Sequence, residues 1–489
     1  MSWPPLTQMR SLPAREYRVL VAALPIAAAI IVGTAFNATP LMAGGAAAAF
    51  VAAIVSPPTG LVLVALMTPL KSPPAIPAPG FNTILIAATL LGCVYRLPID
   101  RPSLRVRAPL LLLLAFVIYV TAQQAPEMLS GYAGSDGHYV GYLFGQLLTL
   151  AVLVVAAAWV LRGRPPGPFI AAGILSALFT AILAVATFTH PATGLLENLI
   201  GVSGVDLTRV VGPFGDPNYF GLFMATAIAA AVALIVVTRP LPLRLLLLAI
   251  SIVMGVALAI SLSRGALLAL SAGLLGLAFS RSWRMGILSV GILAVLALVV
   301  YPLFVEWRVT ADAGASSSAQ AYAILAQSDQ SRIAAGLAGP LLFASSPLFG
   351  VGFGHYPSLS GQFTGFPIES HNWYANVLAE QGIVGIVLWF SMLAAVAMMM
   401  RHASRPARTV GYAVLVTYCV GSAFLQPPDS VQTSAFAVIV IVAALVGRWS
   451  DDAEGRAVSD SGHERSAAPP AIPQPSLQLP GSPTPSAAR

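Results

Sequence analysis

The stretch that decides the fold is YFGLFMATAIAAAVALIVVTRPLPLRLLLLAISIVMGVALAISL, residues 219–262. Its only charged residues, Arg239 and Arg244, fall together with Pro240 and Pro242 at the short junction of two apolar runs, 219–237 and 244–262, the second of which Arg244 opens. Uncharged apolar runs of about 18 residues or more read as membrane spans. In lipid every backbone polar group must be satisfied inside the structure, so a span is either a helix or one strand of a closed barrel. These runs are continuously apolar and lack the period-two alternation of a barrel strand. They predict helices.

Outward from this pair, similar runs lie near 19–36, 41–56, 59–70, 81–97, 108–122, 139–161, 168–189, 266–280, 285–304, 377–400, 409–426 and 431–447. The expected fold is therefore all-α, a polytopic transmembrane helical bundle of about 12–14 spans. The run 59–70 is short for a full crossing, so 41–70 also reads as a re-entrant hairpin. Composition agrees, since 57% of the 489 residues are hydrophobic and 9% are charged. The two cysteines, Cys93 and Cys419, sit inside apolar runs and indicate neither a disulfide framework nor a metal site. Arg10, Arg15 and Arg18 precede a first run that is too long for a signal peptide and lacks a clear cleavage site, so a retained span is expected.

The net charge of +7 invites a nucleic-acid reading until the charges are placed along the chain. With the N-terminus inside, twenty of the 25 basic residues fall in cytoplasmic segments, as the positive-inside rule requires. Only Lys71, Arg209, Arg264, Arg308 and Arg332 fall outside. That distribution is a topology signal, and no nucleic-acid partner is expected. The chain divides into a cytoplasmic N-terminus (1–18), a transmembrane domain (19–450) with a large extracytoplasmic loop at about 305–376, and a Pro- and Ser-rich tail (451–489) read as disordered and cytoplasmic.

Each outer basic residue runs against the rule. Arg209 opens a turn-rich approach, RVVGPFGDPNYFG at 209–221, in which Asn218 is expected to begin a helix. Arg264 lies in SLSRGALLAL at 261–270, a tight turn between two spans. Arg332 stands ahead of PLFGVGFGHYP at 347–357, and Lys71 is the single lysine of the chain. In ESHNWYANVLAEQGIVG, 369–385, Ser370 reads as an N-cap that places His371 and Asn372 in the first helical turn. The glycines around His355 read as loop-shaping, and Arg308 beside Glu306 as a surface pair.

Taken singly, an outer arginine is a headgroup anchor and a lone histidine a packing residue. Together they fit one chemistry. Guanidiniums hold diphosphate oxygens bidentately, and histidine can take a proton from an attacking hydroxyl. A transporter would place paired ionisable residues near the bilayer midplane, and these span interiors are almost free of charge. A non-catalytic scaffold would not need a histidine beside an arginine set.

At these residues the chain resembles the O-antigen ligase and polymerase superfamily of bacterial membrane glycosyltransferases. The resemblance rests on RVVGPFGDPNYFG (209–221), SLSRGALLAL (261–270), SRIAAGLAGPLLFASSPLFGVGFGHYP (331–357) and HNWYANVLAEQGIVG (371–385), in that order, and covers about 200–425. It implies transfer of a glycan from a polyprenyl-diphosphate-linked donor to a hydroxyl of a glycolipid or glycan acceptor, among membrane lipids, on the outer face of the cytoplasmic membrane. It implies no cofactor and no metal. Residue by residue, it implies that Arg209 and Arg264 contact the diphosphate, that His371 is the general base, and that Arg332 and, by position alone, Lys71 assist. Ligase and polymerase share this donor chemistry. The expected span count is somewhat above the dozen or so usual for the ligase branch.

Overall fold

The computed structural model describes residues 14–70, 80–96, 107–131, 134–189, 198–199, 209–291, 318–365, 367 and 369–449. The chain divides into two units, Met1–Trp449 and Ser450–Arg489. The second, which holds the tail expected to be disordered, lies wholly outside the described residues. In the first, the apolar runs fold as α1 (Ala14–Ala35), α2 (Thr39–Val55), α3 (Pro57–Met67), α4 (Phe81–Tyr95), α5 (Arg107–Leu129), α6 (Gly134–Leu161), α7 (Gly167–Thr189), α8 (Pro217–Val237), α9 (Leu241–Ile260) and α10 (Arg264–Arg281). After these come α11 (Ser318–Ser345), α12 (Tyr356–Thr364), α13 (Trp373–Met400), α14 (Arg405–Gly421) and α15 (Val431–Val446). Strands are absent among the described residues. Among the described residues seven helices are long and apolar enough to cross a membrane: α1, α5, α6, α7, α8, α9 and α13. The chain is a multi-pass helical membrane protein.

A helix that is apolar on every side belongs in the centre of a bundle. The quoted stretch supplies it: every residue of α8 from Phe220 to Ala231 is buried. Around it pack α7, α9, α10, α14 and α15. A second core joins α1 to α4 with α6, α7 and α15, so α7 and α15 serve both. The 41–70 region resolves into two helices that meet at Ser56, and all of α3 is buried. Eleven residues are too few to span, and α3 is an internal helix.

Lipid tails are as apolar as leucine, so close packing holds such helices together, helped by small residues at the crossings. Gly173 of α7 lies against the Phe436 ring of α15, and Gly273 of α10 against Thr417 of α14, with no room for a Cβ at either. Buried hydroxyls return to their own helix. Thr34, Thr89, Thr180, Thr226, Ser251 and Thr417 each donate to the carbonyl four residues back.

Two features depart from the sequence reading. The expected loop at 305–376 contains helices α11 and α12, and α13 is not continuous. Its helical backbone breaks at Gly382, with φ 65° and ψ −161°. The break releases backbone groups that cannot be left bare in an apolar medium, and the glycine-rich segment 347–352 takes them up. Val351 N donates to Ala379 O at 3.0 Å and Gly352 N to Glu380 O at 3.0 Å. In return Ile383 N donates to Pro347 O at 2.9 Å and Val384 N to Leu348 O at 3.2 Å. Tyr119 of α5 donates to Gln381 O at 2.8 Å, and Gln123 and Gln124 brace the segment through Phe349 O (2.5 Å) and Phe353 O (2.9 Å).

The Glu380 carboxylate, 2% exposed, accepts from Tyr356 N at 2.8 Å and from the Gln381 amide at 3.3 Å. Burial, with Glu380 adding to it, pushes the Tyr356 phenol up to about 12, so it stays protonated and donates to Ala335 O of α11. The glycines around His355 shape the loop, as expected: Gly350, Gly352 and Gly354 all have positive φ.

Candidate active site

The starts of α8, α10, α13 and α15 meet at one end of the bundle, tied by long-range contacts. α8 starts from a turn. Gly212–Phe214 forms a single 3₁₀ turn, Gly215 is left-handed, and Asp216 caps the helix by accepting from Asn218 N (2.6 Å) and Tyr219 N (3.1 Å). The helix thus begins at Pro217, one residue before the expected Asn218. Asp216→Ala should lower stability by about 1 kcal/mol through the lost cap, read as a small fall in melting temperature of the detergent-purified protein.

Arg209, just upstream, is half-buried and grips the turn between α9 and α10. Its Nε donates to Ser261 O at 3.2 Å, and an NH2 group donates to Leu262 O at 3.3 Å and Asn218 Oδ1 at 3.4 Å. Ser263 caps α10, accepting from Ala266 N at 3.4 Å and donating to Asn218 Oδ1 at 3.2 Å. Arg264 is the first residue of α10. Asn218 thus bonds Arg209 on one side and Ser263, the residue before Arg264, on the other. Gly221 keeps the helices this close, because a Cβ there would meet Ser263 Cβ at 2.9 Å and Ala266 Cβ at 3.0 Å.

The start of α13 differs from expectation. Its N-cap is Asn372, not Ser370: the Asn372 side chain accepts from Tyr374 N (3.0 Å) and Ala375 N (3.1 Å). His371 therefore precedes the helix, half-buried, with φ 51°. Ser370 instead sits beneath it in a buried polar cluster, bonded to Asn376 Oδ1 at 2.8 Å and to the Gln426 amide at 2.9 Å. Upstream, Tyr139 of α6 holds Glu369 at 2.7 Å.

The segment after α14 joins these starts. Trp373 N donates to Ser422 O (2.9 Å) and Leu425 O (3.0 Å), Phe424 lies against Gly265, and Gln426 O accepts from Tyr219 at 3.5 Å. Gln432 of α15 donates to Pro213 O and Pro69 O, both at 3.2 Å. Arg209, Arg264 and His371 thus come to one end of the bundle, although 162 positions separate the first from the last. Arg281 NH2 bonded to Val236 O (3.0 Å) and Arg448 N bonded to Arg164 O (2.8 Å) mark the opposite end.

Arg332 falls within α11, with its side chain outside the described residues, and Lys71 and Arg308 lie outside them altogether. No three His, Cys, Asp or Glu side chains gather among the described residues. His355 pairs with Glu127 at 3.5 Å.

Of the three non-glycine residues with positive φ among those described, Leu262 and His371 each stand one position before the cap of a helix at this end, α10 and α13. Such backbone costs about 1–3 kcal/mol and persists where the surroundings over-determine it, often at functional sites. Sequence reading missed Gln426, the Ser370–Asn376 cluster and the break at Gly382. The one visible signal was a run of amides (Gln123, Gln124, Gln381, Gln426) within or beside apolar segments.

Fold and site define a class, a polytopic helical membrane protein with arginine and histidine side chains gathered at one end among helix N-termini. Comparison narrows it. Residues 245–390, less than half of the chain, match the family model described as O-antigen ligase, a similarity at the level of the O-antigen ligase superfamily. The match spans α9 to the middle of α13 and includes Arg264, Arg332 and His371, while Arg209 and Lys71 precede it. No curated protein gives a significant match to the chain.

Proposed function

We propose that the protein transfers a glycan from a polyprenyl diphosphate carrier to an acceptor hydroxyl, at the end of the bundle that the charge distribution marks as extracytoplasmic. The observation carrying this reading is the assembly of Arg209, Arg264 and His371 at one end, two of them inside the region matched to O-antigen ligase. His371 takes the acceptor proton. The freed oxygen attacks the anomeric carbon and forms the new glycosidic bond with inversion. The bond from that carbon to the diphosphate oxygen breaks, and its electron pair leaves with polyprenyl diphosphate.

The charge that grows on the leaving phosphate is what the site must stabilise. Two arginines meet it, and the positive ends of α8, α10, α13 and α15 add to the favourable field. Backbone carbonyls fix the Arg209 guanidinium from behind. Arg332 and Lys71 are further cations of the donor site. Pro69, two residues before Lys71, is tied through Gln432 to Pro213 in the approach to α8. In this reading the cytoplasmic membrane holds the chain with both termini inside.

The test is reconstitution in vesicles with a defined polyprenyl-diphosphate-linked glycan, with and without a glycolipid acceptor. A new conjugate that depends on the acceptor supports a ligase, a ladder on the carrier indicates a polymerase of the same superfamily, and an unconsumed donor sinks the reading. In the active assay Arg264→Lys should lower kcat/KM on the order of 10- to 100-fold, because a point charge cannot replace a bidentate fork. Full activity would make Arg264 a headgroup anchor.

A further inference from the structure

The left-handed backbone at His371 has a visible cause. The Ser370 hydroxyl reaches across it to both backbone groups of Asn372, accepting from its N–H at 3.1 Å and lying 2.9 Å from its C=O. It also meets Asn376 Oδ1 at 2.8 Å and accepts from Gln426 Nε2 at 2.9 Å. All of Ser370, Asn376 and Gln426 are buried, Gln426 being 3% exposed. A hydroxyl has one hydrogen and two lone pairs, so these partners saturate it. On the far side, Trp373 N is bound by Ser422 O and Leu425 O, from the same segment that ends in Gln426. Residue 371 is therefore held from before and after, and both holds lead to 422–426.

We propose that Gln426 is a positioning residue for His371. Its amide, acting through Ser370, fixes the His371 backbone in the left-handed form and so sets where the imidazole stands relative to the two arginines. Gln426 also accepts the Tyr219 hydroxyl, one residue from Asn218, which is bonded to Arg209. It is the residue through which the histidine segment and the arginine segment share a support. Residue 426 lies outside the stretch matched to O-antigen ligase. The inference rests on the reading of His371 as the base, and the test separates the two.

Gln426→Leu removes the donor to Ser370 at similar volume. In the vesicle assay turnover should fall roughly 10- to 100-fold, the effect of a base displaced by about an ångström. KM for the lipid-linked donor should stay within about twofold, because Arg209 keeps its bonds to Ser261 O and Leu262 O and Arg264 its place at the start of α10. A residue acting only through His371 should add nothing once the imidazole is gone, so Gln426→Leu with His371→Ala should equal His371→Ala alone.

Additive losses, or wild-type turnover in a folded Gln426→Leu protein, overturn the proposal. Wild-type turnover in His371→Ala removes the base assignment instead. Should the leucine variant fail to fold, Gln426→Glu keeps the shape but presents a carboxylate that accepts from Ser370 where the amide donated, and the same kcat loss and non-additivity are expected of it.

Discussion

His371→Ala is expected to lower glycan transfer by about 10²- to 10⁴-fold, the usual contribution of a positioned general base. Binding of the lipid-linked donor should be nearly unchanged. The reason lies in the division of labour at the site. Arg209 is anchored to the carbonyls of Ser261 and Leu262, and Arg264 begins α10, so both keep their backbone placement when the histidine ring is removed. The α13 cap belongs to Asn372 and the polar cluster beneath to Ser370, Asn376 and Gln426, so truncation of the imidazole leaves the local fold supported. Alanine also tolerates the left-handed backbone less well than glycine, which makes His371→Gly a useful companion. Both variants should purify as folded protein, retain donor binding and lose turnover. Transfer within a few-fold of wild type would show that another group takes the proton.

The largest effect on stability is expected at Gly350→Ala. Gly350 has φ 74°, and a Cβ there would run into the carbonyl group of Glu380 and the nitrogen of Gln381. These are backbone atoms at the break in α13, and they cannot yield as the end of a flexible side chain would. Left-handed strain and overpacking together amount to about 2–5 kcal/mol.

The alternative to bearing that cost is for the loop to undock. Undocking would strip the hydrogen-bond partners from Ala379, Glu380, Ile383 and Val384 in the apolar core. Gly382 faces the same contact from the other side, with Leu348 C and O 2.5 Å from its virtual Cβ. The control is Gly336→Ala in α11, where a Cβ meets nothing within 4 Å, and helix propensity makes alanine neutral or slightly stabilising. Melting of the two detergent-purified variants should diverge clearly. Equal melting temperatures would mean that segment 347–352 is not docked in the break.

Much of the fold was legible along the chain because local physics dictates it. The uncharged runs at 217–237 and 245–260 can satisfy their backbone only as helices, and they do. The shortness of 59–70 marked a helix unable to span, and α3 is entirely buried. The turn at Gly212–Asp216 announced the start of α8 to within one residue. The arginine and histidine motifs were equally visible, since residue type and order along the chain need no tertiary information.

Other features were beyond a local reading. Ser370 looks like a cap because serine often is one, yet its hydroxyl is taken by Gln426, 56 positions away, and the cap passes to Asn372. Gly382 looks like a tolerated glycine in an apolar helix. It becomes a break because a loop about thirty residues upstream supplies partners for the freed backbone groups.

The amino-acid sequence by itself determined that this chain is a bundle of membrane helices, and which of its few basic residues stand apart. Periodicity, charge and caps act within a few residues and against the solvent. Only the tertiary structure decided how the segments carrying Arg209, Arg264 and His371 are tied together at one end, and that Ser370, beside the last of them, is bonded to Gln426. Those outcomes depend on hydrogen bonds between distant segments, whose partners no local pattern encodes.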